Sequence, residues 1–119
     1  MRPLVLIVED EFLIRAATAD AIRDAGFEVL EAGNADEALV ALETRSDIRV
    51  VFTDMRMPGS MDGAHLAHAI RKRWPPVRIM ATSGKVALET LTLPAGTLLF
   101  PKPYTAGDVA WALQALTAA

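Results

Sequence analysis

Five polar side chains in this chain follow short, β-branched apolar runs. Glu9 and Asp10 come after Leu4-Val5-Leu6-Ile7-Val8, Asp54 closes the run that begins at Ile48, Thr82 closes the run from Val77, and Lys102 comes just after Leu98 to Phe100. If those runs lie side by side and point the same way, three carboxylates, a hydroxyl and an ammonium converge on one crevice. Carboxylates gathered so closely repel one another unless a cation sits among them. A few carboxylates plus waters is the donor set of Mg²⁺. Softer metals are disfavoured, because there is no cysteine and neither His65 nor His68 stands at the end of such a run. A carboxylate beside Mg²⁺ and a lysine is equipped to act as nucleophile in phosphoryl transfer, forming an aspartyl-phosphate. The cation and the lysine then neutralise charge spread over the equatorial oxygens. Asp54 is the best nucleophile, since it stands alone at the end of a central run. Glu9 and Asp10 are better placed as metal ligands. Thr82 can donate to one phosphoryl oxygen and Lys102 can pair with another as a compact charge.

The elements that must position these groups can be read from the pattern. Leu4 to Val8 is continuously apolar, as a strand buried on both faces must be. Phe12 to about Ala25 reads as a helix with an apolar stripe at Leu13, Ile14, Ala17 and Ala21, and Gly26 sits at the position of a C′ glycine. Phe27 to Ala32 alternates and reads as a more exposed strand. Asn34 with Glu37 marks a helix start, and that helix runs to about Glu43. Ile48 to Asp54 is the third strand, Met57 to Ser60 a loop, Gly63 to Trp74 a helix stopped by two prolines, and Val77 to Thr82 the fourth strand. Lys85 to Leu91 is a weaker helix, Leu98 to Phe100 a short fifth strand, and Thr105 with Asp108 caps a last helix to about Leu116. Alternation of this kind predicts an α/β fold: a doubly wound five-stranded parallel sheet of order 2-1-3-4-5. Ligands then bind beyond the carboxyl ends of the strands, where the order reverses between the first and third.

Composition removes other classes. The 119 residues predict one domain over 1–119, and 52% hydrophobic against 23% charged residues excludes disorder as the dominant state. Zero cysteines exclude a disulfide scaffold and a thiolate metal site, and a net charge of −3 argues against general nucleic-acid binding. No run approaches the roughly 18 apolar residues of a membrane span. A signal peptide is excluded too, because Glu9-Asp10-Glu11 ends the first apolar run too early. The expectation is a cytoplasmic protein with no membrane or direct nucleic-acid contact.

Four segments resemble, in order and spacing, the receiver domain of two-component response regulators. They are Val5 to Glu11, Asp54-Met55-Arg56-Met57-Pro58 with Met61-Asp62-Gly63, Thr82-Ser83-Gly84 and Lys102-Pro103-Tyr104. The resemblance implies a flavodoxin-like fold and a phosphoacceptor at Asp54. It implies Mg²⁺ held by Asp10, Asp54 and the backbone carbonyl of Arg56, with Glu9 assisting through water. Thr82 would be the switch hydroxyl and Lys102 the phosphate-pairing lysine, followed by a cis Lys102-Pro103 peptide. The implied phosphoryl donors are a histidine kinase, a histidine phosphotransfer protein or a small donor such as acetyl phosphate. The implied output is a separate protein partner that reads the face made by the fourth helix, fifth strand and last helix. Such a protein is no conventional enzyme, although it carries out its own transfer and slow dephosphorylation. Without a following segment the chain resembles the stand-alone type, which has no output domain. Three features depart from the family: a loop one residue longer between Pro58 and Gly63, Leu99 where the switch aromatic stands, and a stretch poor in helix formers after Gly84.

Plainer readings apply elsewhere. Arg71-Lys72-Arg73 complements the C-terminal dipole of its helix, His65 and His68 are surface residues, Trp74 and Trp111 pack, and the Tyr104 ring is buried. Arg56 and Gly84 lie two residues beyond Asp54 and Thr82, flanking the path of an attacking water, and Arg56 is expected to change the lifetime of the phosphoryl group. A phosphatase with an Asp-x-Asp site is disfavoured because Asp54-Met55-Arg56 lacks the second carboxylate. A dinucleotide enzyme is disfavoured because no Gly-x-Gly-x-x-Gly follows the first strand. The competing reading is an interaction module that keeps the fold and does not switch.

Overall fold

In the computed structural model β1 (Leu4–Val8) is buried along its whole length. The model describes residues 2–55, 63–83, 93–101 and 104–118. Alternate side chains of β1 enter two separate cores. Leu4, Leu6 and Val8 pack on one face of the sheet with Ala35, Ala38, Leu42, Leu66 and Ile70. Val5 and Ile7 pack on the other with Ala19, Ile22, Val109 and Leu113. A strand between two helical layers has no solvent face, so its sequence shows no polar alternation. Each fully buried Leu or Ile in such a core contributes about 1.5–3 kcal/mol.

The remaining elements are α1 (Phe12–Asp24), β2 (Glu28–Ala32), α2 (Ala35–Thr44), β3 (Ile48–Asp54), α3 (Gly63–Arg73), β4 (Arg78–Ser83), β5 (Leu98–Pro101) and α4 (Ala106–Thr117). The five strands form one sheet of order β2-β1-β3-β4-β5, and every pairing in it is parallel. This is the topology expected from the alternation of elements. The inferred weak helix at 85–91 and the loop at 57–60 lie outside the described residues.

Local chemistry accounts for several boundaries. The Asn34 side chain accepts from the Glu37 backbone N–H at 2.8 Å, while Glu37 Oε1 reaches back to the Gly33 N–H, also at 2.8 Å. Thr105 and Asp108 form a reciprocal capping box at the start of α4. Gly26 ends the turn after α1 at a φ of 100°, where a side chain would be strained.

Two expectations need correction, and one feature of the sheet had no expectation attached. The stripe at Leu13, Ile14 and Ala17 does not face the core: Leu13 and Ile14 are 79% and 39% exposed, and the residues of α1 buried against the sheet are Ala19 and Ile22. An alanine-rich helix is apolar on more than one side, so periodicity alone does not choose the buried face. Trp111 is 74% exposed, because α4 turns Val109, Ala112 and Leu113 inward and leaves position 111 on the opposite side. Finally, β3 carries a register shift: Leu4 pairs with Ile48 and Val5 with Val50, so Arg49 is an extra residue without a β1 partner.

Candidate functional site

The carboxyl ends of β1, β3 and β4 bring four of the expected side chains together. Glu9 follows β1 directly, and its N–H donates to Ala32 O at 3.0 Å, extending the β1–β2 ladder by one bond. Asp54 is the last residue of β3 and pairs in register with Thr82 of β4. One further bond, from Met55 N–H to Thr82 O at 3.0 Å, fastens the two strand ends together. Glu9, Asp10 and Asp54 each offer a carboxylate oxygen, and these atoms lie within 4.8 Å of one another. Glu9, Asp54 and Thr82 are buried at 6%, 8% and 3% exposure, whereas Asp10 is exposed. Two carboxylates with little access to water and a third at the rim form a cup open on one side.

The donor chemistry of this cup fits a hard divalent cation. All three groups supply oxygen, no sulfur or imidazole is among them, and Mg²⁺ prefers one or two carboxylates with waters in the remaining positions. The Thr82 hydroxyl adds a second observation. Its Oγ1 is buried and has no hydrogen-bond partner among the described residues, a condition that costs about 1–3 kcal/mol when left unmet. It lines a small cavity of about 10 Å³ together with Glu9, Asp54, Phe52, Thr18 and Tyr104. An acceptor oxygen bound above Asp54 would satisfy it. Lys102 and Arg56, the other two expected site residues, lie outside the described residues, as do the Lys102-Pro103 peptide and Gly84.

Three residues that the sequence reading did not assign to the site support it. Arg15, on α1, donates from Nη1 to Glu9 O at 2.9 Å. Gly63 begins α3 with its N–H bonded to Met55 O at 3.1 Å; a Cβ there would overlap the Asp54 carbonyl oxygen and lie 2.6 Å from Met55 Cα. Tyr104 packs at an angle between strand aromatics, with ring centroids 5.8 Å from Phe52 (tilted) and 5.6 Å from Phe100 (edge-on). Phe52 lies two residues before Asp54, and Phe100 is the β5 partner of Thr82. Gly63 and Tyr104 had a signal in sequence as parts of motifs, whereas Arg15 had none. His65 and His68 are exposed on α3, as expected. Trp74 is half-buried and packs on the core, with the Arg73 guanidinium 4.4 Å over its ring.

The fold and site define a five-stranded, doubly wound parallel α/β domain, a class that binds ligands at the strand switch point, and here an acidic, all-oxygen cup stands at the strand ends. Comparison with known proteins gives the family. The model of the response regulator receiver domain matches residues 5–103. The response regulator protein FleR of Pseudomonas aeruginosa is 37% identical over 110 residues, covering 89% of this chain and 23% of FleR. The sensor kinase CckA of Brucella abortus is 32% identical over 110 residues, covering 89% of this chain and 12% of CckA. A response regulator receiver protein from Sinorhizobium medicae superposes with a TM-score of 0.88 at 27% identity, covering 97% of this chain and 94% of the other. The chain belongs to the response regulator receiver domain family of two-component systems. It spans less than a quarter of the length of FleR and of CckA. Among the described residues no helix is long and apolar enough to cross a membrane.

Proposed function

We propose that this chain is a phosphoacceptor switch in which Asp54 takes a phosphoryl group from a phosphohistidine on a histidine kinase or phosphotransfer protein. The observation that carries the reading is the meeting of Asp54, Glu9, Asp10 and the Thr82 hydroxyl, which has no partner among the described residues, at adjacent strand ends. In the transfer, a carboxylate oxygen of Asp54 attacks phosphorus and the phosphorus–nitrogen bond of the donor breaks. The electron pair stays on the imidazole nitrogen, which then takes up a proton. Asp10, Asp54 and the Arg56 carbonyl would hold Mg²⁺, with Glu9 acting through water; the ion supplies charge neutralisation between carboxylate and phosphoryl oxygens. Thr82 donates a hydrogen bond to one phosphoryl oxygen, and Lys102 pairs with another. Water later hydrolyses the acyl phosphate at a rate that depends on Arg56, two residues beyond Asp54 in the sequence. The reaction takes place in the cytoplasm, and the changed surface is read by a separate protein.

The test is incubation with acetyl phosphate and Mg²⁺ followed by intact-mass measurement. One added phosphoryl group on the wild type and none on Asp54→Asn is the expected result. An equal adduct on both, or none on either, overturns the assignment.

Leu99 favours a second reading. It pairs with Ala81 in the sheet at the position where the resemblance implies an aromatic switch, which leaves a non-switching interaction module as the alternative. Tyr104 bears on this point, because it lines both the cavity shared by Asp54 and Thr82 and a groove between α1 and α4 lined by Ala17, Ala21 and Val109. A phosphorylation-dependent change at Tyr104 separates the two readings. Phosphorylation can shift the equilibrium between two packings only by the difference in its interactions with them.

A further inference from the structure

The turn that presents Glu9 and Asp10 is held from behind by α1. Arg15 Nη1 donates to the Glu9 carbonyl at 2.9 Å, and its Nε donates to Glu31 Oε1 at 3.3 Å. The same Glu31 carboxylate lies 3.5 Å from Arg23. The Arg15 side chain is only 18% exposed, and its guanidinium sits 5.5 Å over the Phe12 ring. Gly33 leaves room for it: a Cβ at that position would lie 3.2 Å from Arg15 Nη1. On the inner side of the turn, Glu9 Oε2 accepts from the Glu11 N–H at 3.1 Å. One hydrogen bond thus fixes the Glu9 carbonyl and another bends its carboxylate, both in a turn just past the last strand residue.

We propose that Arg15 is a positioning residue for the acidic cup. Through the Glu9 carbonyl it presets the geometry in which Glu9 and Asp10 meet Asp54, and Glu31 limits how much of its positive charge the cup feels. The inference rests on the reading of the cup as a divalent-cation site. Two effects of Arg15 oppose each other. Its hydrogen bond preorganises the ligands and strengthens cation binding, while its charge repels the cation. With Glu31 in contact, the charge is largely offset at short range, so positioning dominates.

The opposition makes the proposal testable by Mg²⁺ titration calorimetry on the intact chain, with Mg²⁺ alone as the probe, at low and at high salt. Loss of an outer-shell partner typically weakens metal binding about 10- to 100-fold, so Arg15→Gln is expected to weaken Mg²⁺ binding about tenfold at both salt concentrations. Glu31→Gln keeps the bond to Glu9 and unmasks the arginine charge. Its loss should be smaller and should shrink at high salt, because salt screens the unmasked charge in part even at a half-buried site. Arg15→Lys retains one donor and should fall between wild type and Arg15→Gln, which keeps the test available should the glutamine variant fold poorly. Unchanged or tighter Mg²⁺ binding by folded Arg15→Gln or Arg15→Lys overturns the proposal, as does a Glu31→Gln effect that salt leaves untouched. Absence of Mg²⁺ binding by the wild type overturns the reading of the cup itself, and the proposal with it.

Discussion

Replacing Gly63 by alanine should damage both the fold and the proposed nucleophile, Asp54. Gly63 opens α3, and in an open helix position Gly→Ala is favourable by about 1 kcal/mol. The packing here reverses that sign. The new Cβ would overlap the Asp54 carbonyl oxygen and sit 2.6 Å from Met55 Cα. To reach an ordinary contact of 3.4 Å, α3 and the end of β3 must separate by more than an ångström, because the Asp54 carbonyl oxygen is the nearest obstacle. Both atoms in the way are backbone, and Asp54 is itself tied to Thr82 through the Met55 N–H, so no flexible side chain can absorb the move. Overpacking of this kind costs about 1–3 kcal/mol, and the rigid partners place it near the upper end. For a domain of this size that corresponds to a fall in Tm of roughly 8–12 °C. A shift approaching 1 Å at the nucleophile can cost about 10²-fold in rate. Thermal unfolding followed by circular dichroism, and the rate of acetyl phosphate labelling well below Tm, check the two effects separately. A Tm that stays level or rises would refute the packing argument. A lowered Tm with wild-type labelling would refute the link from Gly63 to Asp54.

The Thr105→Ala substitution removes the hydroxyl that accepts from Asp108 N–H at 3.1 Å and should lower stability in urea by about 1 kcal/mol, with labelling of Asp54 unaffected. Tyr104 is the single tyrosine of the chain, so 3-fluorotyrosine gives one ¹⁹F resonance; it should move when beryllofluoride and Mg²⁺ are added to the wild type and stay put in Asp54→Asn. A resonance fixed in the wild type under both conditions would favour the non-switching module. The Arg45 guanidinium, which donates to Asp47, holds that carboxyl below the ordinary value of 3.8. A depressed native pKa contributes stability above the unfolded value and loses it as pH falls through the native one. Asp47→Asn should therefore flatten the acid limb below about pH 4, and an unchanged limb would contradict the pairing.

Local features and the sheet pattern were legible in the sequence. Asn34 with Glu37 and Thr105 with Asp108 act within one helical turn, so residue type and spacing suffice to find them. The unbroken apolar run of β1 reveals a central strand, because both its faces meet helices. From strand ends and a parallel sheet, the meeting of Glu9, Asp10, Asp54 and Thr82 follows by topology alone. What stayed hidden depends on contacts across the chain. Which side of α1 meets the sheet is decided by packing rather than by its many alanines. The extra residue at Arg49 is a matter of register with β1. The grip of Arg15 on Glu9 crosses a turn, and its ion pair reaches a residue on another strand. Trp111 is large and apolar yet points away from the core, where hydrophobicity alone places it inside.

The account stands on Asp54 as the phosphoacceptor, and chemical trapping tests that most directly. An acyl phosphate formed from acetyl phosphate and Mg²⁺ is reduced by borohydride to the alcohol, which turns the modified aspartate into homoserine. Peptide mapping should find homoserine at position 54 only, and none when Mg²⁺ is chelated. Homoserine at position 10, or a phosphoryl group carried instead by His65 or His68, would contradict the account.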